Sequence, residues 1–180
     1  MPEDRVSMSR AFVKNDAADD RILIPPRAPL PPGTINYVTP NGIALLKNEL
    51  TALEAERARA QQCGNDEAER TRQSALFSQR IAEITDRIAS AKIVDPLTQP
   101  RDEVRFGATV TLRTLSGKIP GQERRIAIVG VDEAEPSVGR ISFIAPIARA
   151  IQGCRVGETT TLRTAQGEEL LEISEIEYLS

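Results

Sequence analysis

TPNGIALLKNELTALEAERARAQQCGNDEAERTRQSALFSQRIAEITDRIASAKIVD, Thr39 to Asp95, is the stretch on which the fold turns. Ile43, Leu46, Leu50 and Leu53 recur at alternating three- and four-residue steps, which places them on one helical face. The same steps then reach Arg57 and Ala60, so the apolar stripe thins. Cys63-Gly64-Asn65-Asp66 interrupts the pattern. A second stripe runs through Phe77, Ile81, Ile84, Ile88 and Ala91, with Arg70 and Ser74 at its polar near end. Two stripes that both weaken toward one break predict an antiparallel helical hairpin with an apolar base and a charged tip. Asn41 is the expected N-cap of the first helix, which at about 23 residues would be roughly 35 Å long. Glu49, Glu54 and Glu56 interleave with Lys47, Arg57 and Arg59, the pattern of a solvated outer face. Such a hairpin buries little area and needs a body to brace its base.

The break carries the first candidate chemistry. Asp66, Glu67 and Glu69 put three carboxylates within four residues, and Asp66 and Glu69 are spaced to project from one side of a helix start. One explanation is structural: acids in a first helical turn are stabilised by the macrodipole, with Asn65 or Asp66 as cap. The other is functional. Exposed carboxylates at the end of a long arm can complete a magnesium site in another molecule, since magnesium takes oxygen ligands and often only one or two carboxylates.

Outward from the hairpin, residues 1–36 read as a tail. Asp16-Ala17-Ala18-Asp19-Asp20 is acidic, and Ile24 to Gly33 is proline-dense and therefore extended. It reads as a stiff linker over the domain surface or as an SH3-type ligand. Met8 is an alternative start. On the other side, residues 101–180 read as a body of strands. Phe106–Arg113, Arg124–Gly130, Arg140–Ile144, Glu158–Arg163 and Glu169–Tyr178 alternate as strands do, and turns fall at Ser116-Gly117 and Pro120-Gly121. Pro146 opens a short helix, Ile147 to Gln152, and Gly153 ends it. The whole is α+β, with a mostly antiparallel, curved sheet.

Composition excludes several functions. The chain of 180 residues has a formal net charge of -3, which argues against a general nucleic-acid binder. Aromatics make up 3% and there is no Trp, so a base-stacking platform is not expected. Two distant cysteines and no histidine remove Ser-His and Cys-His catalysis and leave no zinc pattern. No apolar run approaches the ~20 residues of a membrane span, and no signal-peptide pattern is present.

Several stretches resemble one family. Val104 to Val110, Ile128 to Glu135, Ala145 to Ala150, Gly167-Glu168-Glu169 and Ile176 to Leu179 are similar to the C-terminal domain of the bacterial Gre transcript-cleavage factors. Tyr37 to Gly42 and Ile93-Val94-Asp95 fit the flanks of that family's coiled coil. The resemblance implies a coiled-coil hairpin over 37–95 and an FKBP-like domain over 101–180. It implies a transcription elongation regulator that binds core RNA polymerase beside its secondary channel and acts on the nascent RNA end only indirectly. A monomer in the cytoplasm is expected, with no membrane partner and with the DNA association of a transcription factor. The tip acids Asp66 and Glu69 would hold magnesium only in trans, within the polymerase active centre. No cofactor of its own and no enzyme activity of its own are implied, beyond stimulating the polymerase's RNA cleavage. Polymerase docking would use Asp132, Glu133 and Glu135, otherwise a solvated turn, together with Pro146 and Arg149. Arg149 would face the polymerase or pair with those acids.

The chain also departs from the family. The family tip reads Gly-Asp-x-x-Glu followed by Asn-Ala, whereas here Gly64 is followed by Asn65 and then Asp66-x-x-Glu69. The hairpin also reads as shorter by roughly two turns per helix, about 10 Å of reach. Polymerase binding therefore carries over better than cleavage. The alternative is a non-cleaving regulator or competitor, similar to the regulator of nucleoside diphosphate kinase. A more distant alternative is an FKBP-like prolyl isomerase, which the few body aromatics, Phe106, Phe143 and Tyr178, argue against.

Overall fold

A computed structural model of the chain describes residues 29–62, 67–165 and 167–179. Thr39, rather than Asn41, starts the first helix. Its hydroxyl accepts the Gly42 N–H at 2.8 Å, the N-cap arrangement, and Pro40 takes the first helical position, where a missing N–H costs nothing. Asn41 is already inside the helix, and its side chain is used elsewhere. Helix α1 (Pro40–Gln62) and helix α2 (Glu67–Ala89) each run 23 residues and pack along each other. The two sequence stripes form the seam. Leu46, Leu53 and Ile84 are buried, and Ile43, Leu50, Phe77, Ile81 and Ile88 pack around them. Toward the tip the seam turns polar, where Gln61 Nε2 donates to Ser74 Oγ at 3.4 Å.

Two short strands close the base. β1 (Asn36–Val38) precedes α1, β2 (Ala91–Ile93) follows α2, and they pair in parallel, Asn36 with Ala91 and Val38 with Ile93. Val38 is buried among the seam residues, which joins this small sheet to the hairpin core. Asn36, read from sequence as the end of the tail, thus belongs to the arm. The acidic and proline-rich stretch up to residue 28 lies outside the described residues.

The body is one five-stranded sheet in the order β5-β4-β3-β7-β6. Its strands are β3 (Ala108–Ser116), β4 (Glu123–Val129), β5 (Arg140–Ser142), β6 (Thr159–Thr164) and β7 (Gly167–Tyr178). Neighbours are antiparallel except β4 and β5, which run parallel. Along β3, Ala108, Val110, Leu112 and Thr114 alternate inward, the period of two that a half-covered sheet requires. Two register shifts between β3 and β7, at Thr111/Leu112 and Thr114/Ser116, curl the sheet. Its inner face is covered by helix α3 (Pro146–Ile151), whose Ala148 and Ile151 join Val110, Leu112, Ile128, Leu171 and Ile173 in the core. Thr160 Oγ1 donates to the Ala150 carbonyl at 2.9 Å and satisfies part of the end of α3. The outer face carries cross-strand ion pairs such as Arg113–Glu172 and Arg125–Glu177. Among the described residues no helix is long and apolar enough to cross a membrane.

Candidate functional site: the hairpin tip and its seat on the body

The tip opens α2. Glu67 and Glu69 occupy its first turn, where the exposed N–H groups favour negative charge. Asp66 lies outside the described residues. The Glu69 side chain is 41% exposed, and its carboxylate accepts Arg72 Nη1 at 3.3 Å and Gln73 Nε2 at 3.2 Å, both from the following turn. Such exposed same-helix contacts are weak and easily exchanged for another partner. Among the described residues no group of three or more acid, Cys or His side chains is placed to hold a metal ion.

At the other end of the hairpin, the turn Val131–Glu133 departs from the sequence expectation. Asp132 and Glu133 are not on a solvated turn. The Asp132 side chain is 6% exposed and faces Arg87 near the end of α2, itself 7% exposed, with Oδ2 at 3.3 Å from Nε. Glu133, 8% exposed, accepts Thr39 Oγ1 on Oε2 at 2.5 Å and Asn41 Nδ2 on Oε1 at 2.7 Å. Buried carboxylates persist only when matched by a cation or by donors, and both are matched here. Both carboxylates are thus engaged with the arm. Glu135, Pro146 and Arg149 are exposed, and Glu135 is ion-paired with Arg140 rather than with Arg149.

Close backbone approach tightens this seat. A Cβ on Gly42 would lie 2.8 Å from Glu133 Oε2, and a Cβ on Gly130 would lie 2.8 Å from the Tyr37 carbonyl oxygen. Only glycine admits both contacts without displacement. Asn36 Nδ2 donates to the Arg87 carbonyl at 2.8 Å and to Ser90 Oγ at 3.2 Å, which ties β1 to the last turn of α2. Tyr37, Phe106 and Phe143 form a triangle with ring centroids 5.7 Å apart, and Lys92 Nζ sits 5.6 Å over Tyr37. Sequence reading missed Asn36, Tyr37, Thr39, Gly42 and Arg87 as a group. The one local signal was Thr39-Pro40 followed by a glycine within the first helical turn.

Comparison with known proteins places the chain among relatives. The family described as transcription elongation factor, GreA/GreB, C-term, matches residues 99–178. A transcription elongation factor GreB of Neisseria meningitidis serogroup A is 38% identical over 160 residues, covering 81% of this chain and 96% of that protein. A transcription elongation factor GreA of Phenylobacterium zucineum is 38% identical over 100 residues, covering 56% of this chain and 62% of that protein. Among solved structures, a GreA/GreB factor from Nitrosomonas europaea is 21% identical over 79% of this chain and 98% of that one, with a TM-score of 0.39, too loose a superposition to build on.

Proposed function

This chain belongs to the GreA/GreB family of transcription elongation factors, and from that premise we propose that it regulates elongation by binding core RNA polymerase beside the secondary channel. The curled β body, which we read as FKBP-like, docks on the rim, and the helical hairpin enters the channel. The observation that carries this reading is mechanical. A 23-residue helix pair of about 35 Å is clamped at its base to a packed β body, while its far end is polar and acid-bearing. The protein acts as a cytoplasmic monomer and leaves the chemistry to the polymerase.

At the polymerase centre, Asp66 and Glu69 would serve as ligands in trans for a magnesium ion, and the chemistry supplied there is activation of a water for cleavage of a backtracked RNA end. Glu69 supports this, because its exposed carboxylate is held only by exchangeable contacts within α2. The displaced Asp66-x-x-Glu69 spacing and an arm that reads from sequence as shorter favour the second reading, a channel occupant that competes with longer-armed factors without cleaving. An isomerase role has less support, because the body aromatics Phe106 and Phe143 pack against the Tyr37 ring.

The test is direct. The protein is expected to co-purify with core polymerase and to compete with a longer-armed factor. A backtracked complex supplied with magnesium is then mixed with wild type, Asp66→Ala and Glu69→Ala. Cleavage lost in both variants assigns the tip as metal ligands, and binding without cleavage assigns the competitor role. Failure to bind polymerase refutes the proposal. Turnover of a proline peptide is expected to be absent.

A further inference from the structure

Two successive residues of the body hold the two different helices of the arm. Glu133 takes Thr39 and Asn41 at the start of α1, and Asp132 takes Arg87 at the end of α2. A single attachment would let the hairpin pivot. Attachments to both helices from one short turn fix its angle to the body.

We infer that Glu133, together with Asp132, is a positioning residue that aims the hairpin tip. The inference rests on the reading that the arm acts inside the polymerase. Leverage makes the aim matter: at about 35 Å from the base, a 10° tilt moves the tip by about 6 Å. Magnesium–oxygen bonds are near 2.1 Å and tolerate little error, so a loosened seat disables the tip without altering any residue there. Gly42 is part of the device. Any Cβ at that position meets Glu133 Oε2, which is held in place by the Thr39 hydroxyl.

The experiment measures aim and action separately. In the full chain with Cys63→Ser and Cys154→Ser, spin labels go on Gln62→Cys near the tip and on Thr161→Cys on β6, both exposed positions. Pulsed dipolar spectroscopy then gives the arm-to-body distance distribution. Wild type is expected to show one narrow distribution. Glu133→Gln should keep it, because the amide can donate to the Thr39 oxygen and accept from Asn41. Glu133→Ala and Gly42→Ala should broaden it at least twofold. Gly42→Ala guards against simple unfolding, since alanine favours a helix over glycine. In the transcription assay, the same two variants should lose at least fivefold in maximal effect, while the half-saturating concentration stays within threefold of wild type. A merely weakened dock would move the half-saturating concentration instead.

Unchanged distributions in both Glu133→Ala and Gly42→Ala overturn the inference. So does a broadened distribution with full maximal effect. A wild type without any effect on polymerase refutes the functional reading alone, and the distances still decide whether this turn fixes the arm.

Discussion

Replacing Asp132 by alanine removes the carboxylate that faces a buried guanidinium, that of Arg87. Arg87 is 7% exposed, so water cannot take over the role of the lost carboxylate. Removing one partner of a buried ion pair costs about 3–5 kcal/mol. For a chain of this size that corresponds to a fall of about 6–20 °C in the melting midpoint. Arg87→Met takes the guanidinium away from the buried Asp132 carboxylate and is expected to cost a similar amount. The double variant carries no buried charge at this position and should be far less damaged than the two singles combined, with a coupling of about 2 kcal/mol or more. Urea and thermal unfolding followed by circular dichroism read all four proteins, since the chain has no tryptophan to report by fluorescence. The outer-face pair Arg113–Glu172 is a control, and its exposed guanidinium should couple far more weakly. Additivity within about 0.5 kcal/mol for Arg87 and Asp132 would refute the claim that they act as one buried unit.

Gly130→Ala drives a methyl group against the Tyr37 carbonyl oxygen and should cost about 1–3 kcal/mol in the same unfolding assay, although the φ of -62° at that position suits alanine. The Tyr178 hydroxyl donates to the Glu103 carbonyl at 2.7 Å and accepts the Arg105 N–H at 3.0 Å, so Tyr178→Phe should cost about 1–2 kcal/mol. Burial raises the Tyr178 pKa, partly offset by the Arg105 N–H. The stability it confers is therefore full below the ordinary value near ~10 and falls as pH climbs from there through the raised folded value. A urea series between neutral pH and pH ~11 should show that alkaline loss diminished in the Phe variant. Burial likewise raises the Cys154 thiol, with Glu158 adding to it, so at pH 8 its alkylation should run at least about threefold slower in the folded protein than in urea.

The arm and the sheet were legible because each repeats. Ile43, Leu46, Leu50 and Leu53 recur at helical spacing, and the seam they form with Ile81 and Ile84 is the one the stripes required. Strands such as β3 alternate over enough residues to declare their period. The junction has no such repetition. β1 and β2 have three residues each, too few to show a period, and they find each other across the whole length of the hairpin. The acids at 132 and 133 looked solvated because charge in a turn usually is. Their partners are far away in sequence, Thr39 standing 94 residues from Glu133, and no local pattern records such a pairing. The capping position was misread for a related reason. Thr39 and Asn41 are both good caps, and Asn41 was already committed to a distant carboxylate.

The parallel pairing of β1 with β2 brings the chain into the arm and out of it side by side. What fastens the arm lies in the first turn of one helix and the last turn of the other. Residues could be inserted in matched whole turns at the distal ends, about 5.4 Å per turn, without disturbing a single fastening. Projection length and foothold can thus drift independently in evolution.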